Sequence, residues 1–260
     1  MGPGPAKLWP TVAPEWILNA PEWLHDLCFR IYKCFLFDNR YEMYLTGLKN
    51  TLLMTAFALL MGVALGIVVS LIRVTWDKNG EEMQGGGKIT LRILNAISQV
   101  YLTVIRGTPA VVQLLIWWFV IFPSSRNGMM VASIAFGINS GAYVAEIFRG
   151  GIMAIDQGQM EAGRSLGFGY VATMRHIILP QAFKAVLPTL ANEFIVLLKE
   201  TAVAGYVSVS DLTYAGNIVG GNAYDYLFPL LLTALIYLAM VMFFTHLVGK
   251  LERRLRNSER

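Results

Sequence analysis

Four stretches of the chain carry no charged side chain: residues 50–72, 107–125, 127–145 and 226–249, which are 23, 19, 19 and 24 residues long. A helix rises ~1.5 Å per residue and needs about 20 apolar residues to cross hydrocarbon. Each stretch therefore predicts a membrane-spanning helix. One more span, the fourth in chain order, is expected from about Leu187 to Val209, with a polar face made by Glu193, Lys199 and Glu200. The 13 uncharged residues 93–105 are too short to cross alone and are expected to lead into the second span as one long or broken helix. The pattern predicts an all-α, polytopic membrane protein with five transmembrane helices.

The cations between the spans alternate. Arg73, Lys78, Lys88 and Arg92 follow the first span, and only Arg126 follows the second. Arg149, Arg164, Arg175 and Lys184 follow the third, and none lies between Ser210 and Asp225. The tail, residues 251–260, is basic through Arg253, Arg254, Arg256 and Arg260, just after Lys250. Because cytoplasmic loops collect Lys and Arg, the expectation is a cell-membrane protein with its N-terminus outside and its C-terminus in the cytoplasm. The net charge of +4 follows this topology. Nucleic-acid binding would need those charges on one folded face, so the lipid bilayer is the expected partner and nucleic acid is not.

Composition agrees. Of 260 residues 55% are hydrophobic and 15% charged, against about 25% charged in soluble domains. Intrinsic disorder is excluded by the hydrophobicity and a disulfide scaffold by the presence of only two cysteines. Residues 1–47 form an extracytoplasmic segment without the basic start and apolar run of a secretory signal. Within it Leu24, Leu27, Cys28, Ile31 and Phe35 recur at helical spacing. They predict an amphipathic helix, lying on the outer membrane surface or packed against the bundle. Cys28 and Cys34 fall on different sides of such a helix and are not placed to pair.

Several strings fail on inspection. Gly85-Gly86-Gly87-Lys88 lacks the Ser or Thr after Lys and the upstream Gly of a phosphate loop, since Ile89 and Glu82 stand there. The chain itself is thus expected to bind no nucleotide or other cofactor. Gly167-Phe168-Gly169 does not follow a buried strand, so it is no dinucleotide fingerprint. His25, His176 and His246 have no metal-ligand spacing, and no metal site is expected. No nucleophile-and-base constellation argues for an enzyme.

The segment of about residues 150–184 is different. It reads Glu161-Ala162-Gly163, then Leu166-Gly167, then nine residues to Ile177-Ile178-Leu179-Pro180. Asp156, three before Gln159, suggests a capping box. Gly167 and Gly169 can end a helix with left-handed dihedrals, and Pro180 is expected to interrupt the second helix. The result is a helical hairpin too long and too well capped for a plain connector.

These residues resemble the cytoplasmic loop of the permease subunits of ABC importers, which has Glu-Ala-Ala, three residues, Gly, nine residues and Ile-x-Leu-Pro. Glu161, Ala162, Gly167, Ile177, Leu179 and Pro180 fit it. Gly163 replaces the second Ala, a change of small for small. The resemblance implies the type I importer permease fold over residues 48–250 and a coupling loop that fits a cleft on a separate ATPase. That ATPase would use the ATP and magnesium. Arg106-Gly107-Thr108-Pro109 with Gln113, Ala142-Tyr143 with Ala145-Glu146 and Arg149-Gly150-Gly151, Asn192-Glu193-Phe194 and Lys199-Glu200-Thr201 resemble the polar amino-acid branch. That implies a polar amino acid delivered by an extracytoplasmic binding protein, and a second permease, either a copy or a paralogue. A permease for methionine or another non-polar solute is the near alternative. A stand-alone carrier is the distant one and would not need the exposed loop.

Charges inside a membrane are costly, about 2.5–3.5 kcal/mol for a central Lys or Asp on insertion scales, and face a bundle interior or wet cavity. Glu193 and Glu200 share one helix face and Asn192 and Lys199 the adjacent one. Lys199 lies near mid-membrane if the helix begins at Leu187. Glu193 or Glu200 could meet a substrate ammonium and Lys199 its carboxylate; alternatively these charges tie helices or subunits together. Glu146 and Arg149 suit a helix-face pair or a gate. Arg106 could neutralise a glutamate, although Gly107 and Pro109 put it at a bend. Gly62-x-x-x-Gly66 permits close helix packing.

Overall fold

The computed structural model describes residues 4–80 and 83–257. Glu82, Arg260 and the side chain of Arg256 lie outside the described residues, as does the start of the Gly/Pro-rich amino-terminal stretch. Helices α1 (Pro5–Val12), α2 (Glu15–Leu18) and α3 (Glu22–Ile31) lead through a π turn, Tyr32–Leu36, to the 39-residue α4 (Tyr41–Asn79). Then come α5 (Gly86–Gly107), α6 (Ala110–Ile116) with a π turn at Trp117–Ile121, and α7 (Gly128–Met153). Short α8 (Gln157–Ser165) and α9 (Tyr170–Thr173) precede α10 (Leu179–Glu200), a 3-10 turn at Thr201–Val207, α11 (Leu212–Ala223) and α12 (Leu227–Asn257). No strand occurs among the described residues.

Helix α4 runs beside α7 in the same direction. Gly62 abuts Ser140, and Gly66 abuts Val144, where an added Cβ would lie 2.5 Å from Val144 Cγ1. Further along, Asp77 meets Arg149. The small residues of the Gly-x-x-x-Gly pattern let the two backbones approach. Two parallel helices require the chain to return between them, and α5 with α6 makes that return. The pair bends by 110°, so the second span is a broken helix. It is not a straight one over 107–125: the helical run there covers only residues 110–121. Helix α10 runs antiparallel to α7, as the Ser140–Glu193 and Phe148–Phe183 contacts show. Counting the bent pair once, five helical segments among the described residues are long and apolar enough to cross a membrane. The described ends of the chain therefore lie at opposite ends of the bundle.

One end, here the hairpin end, carries α8, α9 and the last turns of α12. The other carries α1–α3, α11 and the turn at 208–211. There Gly47 lies against the backbone of Asp211 and Leu212, with an added Cβ at 2.8 Å. Thr51 Oγ1 accepts from the Leu212 N–H at 3.1 Å. The buried core is a column of Met54, Ala58, Leu114, Phe136 and Leu197 between α4, α6, α7 and α10. Leucines 230, 231, 235 and 238, with Met242 and Phe243, face outward from α12.

The fourth span begins earlier than Leu187. Helix runs from Tyr170 to Val207, and Pro180 does not interrupt it. The π turn Met174–Ile178 widens the ladder just before it, and Pro180 then occupies the first turn of α10, where a missing N–H costs least.

Candidate functional site: the helical hairpin and the polar face of α10

The hairpin is built by local rules. Asp156 caps α8 by accepting the Gly158 N–H at 2.8 Å. Gln159 does not complete a capping box, because its Oε1 accepts from Gln181 at 3.4 Å. Gly167 takes φ 85°, the left-handed conformation that glycine tolerates best. It closes α8 with two bonds, Gly167 N–H to Arg164 O at 3.0 Å and Phe168 N–H to Gly163 O at 3.2 Å, the Schellman arrangement. Gly169 is extended, at φ −70° and ψ 165°, and opens α9 as its cap rather than ending α8.

The residues singled out in the sequence separate into two sets here. Gly163 is buried, and Ile177 and Leu179 are half-buried, packed beside a core of Val74, Ile152, Met174, Ile178 and Ala182. Glu161, Ala162, Leu166, Gly167 and Pro180 are exposed. Two further exposed residues carried no motif signal: Phe168 and Val171. Together Leu166 at 77%, Phe168 at 45% and Val171 at 76% exposure form an apolar tip at the end of the bundle. An amphipathicity reading of so short a helix could not isolate them.

Gly163 is more than small for small. An added Cβ would lie 2.5 Å from Thr173 Cγ2 and 2.9 Å from Ile177 Cδ1. The β-branched Thr173, fully buried, occupies the space that an alanine at 163 needs.

Within the bundle, Glu193 is buried and accepts from Ser140 Oγ at 3.1 Å. Counted from Leu179 it lies about 21 Å along α10, and Lys199 about 30 Å. Lys199 therefore sits toward the far end of α10, about one turn and a half beyond Glu193. Asn192 and Lys199 are exposed on the bundle surface, and Glu200 is half-buried. Thr201 is buried, donating to Leu198 O at 3.0 Å and lying 3.3 Å from Thr55 Oγ1.

Gln113 pins the bend between α5 and α6. Its Nε2 donates to Ile105 O at 2.8 Å, Thr108 O at 3.1 Å and Thr108 Oγ1 at 2.8 Å. Its Oε1 accepts from Asn139 Nδ2 on α7 at 2.9 Å. Arg106, at the same bend, lies over the Tyr143 ring and 4.0 Å from Glu146. Glu146 also pairs with Arg149 at 3.3 Å, and Arg149 with Asp77 at 3.6 Å. Glu146 and Arg149 thus pair three residues apart on α7, and Arg106 faces Glu146 across from α5.

At the far end Asp211 is fully buried and caps α11, accepting from Thr213 N–H at 3.0 Å and Tyr214 N–H at 3.2 Å. Burial pushes its carboxyl up to about 6, against the backbone N–H bonds that favour the ion. It borders a cleft of about 410 Å³ with Tyr206, Thr213, Tyr214 and Asn217.

Comparison with known proteins gives the following. Residues 89–257 match the family described as binding-protein-dependent transport system inner membrane component. An arginine transport system permease protein of Bacillus subtilis is 36% identical over 218 residues, which cover 83% of this chain and 93% of the relative. The solved structure of an amino acid ABC transporter with histidines aligns at TM-score 0.72 and 38% identity, covering 82% of this chain and 94% of that one. An inward-facing methionine ABC transporter aligns at TM-score 0.69 but only 19% identity, over 84% and 98% of the chains, a likeness of fold alone.

Proposed function

We propose that this chain, which belongs to the family of binding-protein-dependent transport system inner membrane components, forms half of the pathway by which an ATP-driven importer moves a polar amino acid. The chain is a transport subunit of the ABC permease type. Its relatives named above supply the substrate class: one is an arginine permease and another an amino acid transporter. Methionine is the weaker reading, because that likeness reaches only the fold.

The observation that carries the mechanism is the capped hairpin with its apolar tip. Leu166, Phe168 and Val171 stand open at the hairpin end, beside the exposed Glu161 and Ala162. They suit a cleft on a separate ATPase subunit, which would bind and hydrolyse ATP with magnesium. The Lys and Arg residues concentrated at this end support a cytoplasmic placement for it. The amino-terminal end would then face outward, toward a binding protein that delivers the amino acid. Motion of the ATPases reaches α7 and α10 through Ile177, Leu179 and the cluster around Ile152.

Asn192, Lys199 and Glu200 would face a second permease across the pathway, because an exposed lysine at membrane depth is costly against lipid. There Lys199 suits a substrate carboxylate and Glu200 an ammonium. Glu193 stands behind them, tied to Ser140. Gln113 and Thr201 shape the bundle rather than touch cargo, and Arg106 with Glu146 and Arg149 links α5, α7 and α4 below.

Uptake of labelled amino acids by proteoliposomes that hold the whole complex tests this reading. The expected result is ATP-dependent uptake of a polar amino acid, lost in Leu166→Asp together with co-purification of the ATPase. Uptake that persists without an ATPase would overturn it, as would uptake confined to methionine or other non-polar amino acids.

A further inference from the structure

The structure docks the amino-terminal segment on the bundle in a specific way. The π turn after α3 inserts Cys34, which is 2% exposed, into a core with Tyr44, Leu198, Leu212 and Met240. Phe35 leans on Tyr41 and Tyr44. Arg30 bonds Asp26 at 2.8 Å and Asp225 at 3.3 Å and lies 5.5 Å over the Phe228 ring. The segment thus touches the start of α12 at its polar rim and its deep end, and between these contacts the two do not close. What remains is a groove of about 370 Å³, walled by Leu27, Ile31 and Phe35 on one side and Leu231, Leu232 and Leu235 on the other, with Cys34 and Phe228 completing it.

The surroundings of the groove say what covers it. Its α12 wall continues the outward stripe Leu231, Leu235, Leu238 and Met242, which contains no polar residue. The face of α10 and α12 that carries Asn192, Thr189 and Thr245 lines a separate cleft, so the polar surface suited to a protein partner lies elsewhere. From Leu227 the groove extends about 12 Å along α12, the depth at which headgroups give way to acyl chains. At the same end Trp16 and Trp23 are 66% and 68% exposed, the residues that favour a membrane–water interface. The volume lies within the range of about 300–1,000 Å³ typical of small-molecule sites.

We propose that this groove holds one acyl chain of a membrane phospholipid. The lipid fills the gap between the amino-terminal segment and α12 and so fastens the segment to the outermost span. Its headgroup sits at the rim by Arg30, where Asp26 and Asp225 already neutralise the guanidinium, so the site selects for a chain rather than for headgroup charge.

The test uses the full complex in nanodiscs of palmitoyl-oleoyl phosphatidylethanolamine and phosphatidylglycerol, extracted in mild detergent and weighed by native mass spectrometry. Wild type should retain one phospholipid per copy, of either headgroup. Leu231→Trp, which fills the groove, should lose it, and Leu238→Trp, on the same stripe below the groove, should keep it. Equal retention or equal loss in the two variants would overturn the proposal. A measurement on the unaltered chain guards against misfolding. Adding the same phospholipids to delipidated wild type should slow hydrogen exchange at residues 27–36, and no slowing would also refute the site. An Ile31→Cys disulfide between two copies would show instead that a second chain covers the groove.

Discussion

Replacing Gly163 by alanine puts one methyl group where α8 crosses the following turn. The new Cβ would lie 2.5 Å from Thr173 Cγ2, 2.9 Å from Ile177 Cδ1 and 3.0 Å from Thr173 Oγ1. Ile177 Cδ1 is the free end of a flexible chain and can move. Thr173 cannot, because it is fully buried and its hydroxyl donates to Gly169 O at 3.1 Å. Such overpacking costs about 1–3 kcal/mol. The better helix propensity of alanine returns up to ~1 kcal/mol. With the full return the hairpin is weaker by up to about 2 kcal/mol, which corresponds to as much as roughly 30-fold more frequent opening. Hydrogen exchange of the backbone amides of 160–178 in the assembled complex reads this directly. Uptake should fall with it while membrane insertion is unchanged. Thr173→Ser removes Cγ2 and keeps the hydroxyl, so Gly163→Ala with Thr173→Ser should recover most of the protection. If Gly163→Ala exchanges no faster than wild type, or if Thr173→Ser gives no rescue, the steric account of Gly163 is wrong.

Gln113→Leu should strand the Asn139 amide and two carbonyl oxygens at the α5–α6 bend. A cost of about 1–3 kcal/mol per buried unsatisfied group predicts a clearly lower melting temperature in detergent, and Gln113→Glu, which keeps the acceptor for Asn139 but turns the donor into a second acceptor oxygen against Ile105 O and Thr108 O, should also melt below wild type. Gly66→Ala meets Val144 Cβ at 2.7 Å and the Ala145 backbone nitrogen at 2.9 Å. It should destabilise α4 against α7 by about 1–3 kcal/mol, and Val144→Ala should rescue it only in part, because the backbone contact remains. The Asp211 carboxyl is raised from 3.8 to about 6 by burial. The folded state therefore binds the proton more tightly than the unfolded state does, and this contribution to stability grows as pH falls from about 6 toward 3.8. Exchange at the start of α11 should slow over that window in wild type and stay flat in Asp211→Asn.

The hydrophobic pattern alone reached the all-α class and the number of crossings, because each uncharged run is measured against a fixed hydrocarbon thickness. Motif spacing located the hairpin, whose capping by Asp156 and Gly167 depends on residues a few positions apart. Where two neighbours compete, local rules fell short. Pro180 has the same sequence signature whether a helix breaks or a π turn absorbs it, and Gly169 can take either sign of φ. The helix of the fourth span runs back past Leu187 through Leu179 to Tyr170, which places Lys199 near its far end rather than near its middle. No residue in its own neighbourhood reports this.

The residue types of the candidate site were legible as intramembrane charges and amides, yet their partners were not. Gln113 bonds residues 5, 8 and 26 positions away, and Glu193 bonds Ser140, 53 positions away. Whether each faces cargo, a second chain or its own backbone is set by helix rotation about axes that only packing fixes. Gly163 is the sharpest instance. The sequence determined that a small residue stands there; the tertiary structure decided that it must be glycine, because Thr173, ten residues on, already holds the volume a methyl group would need.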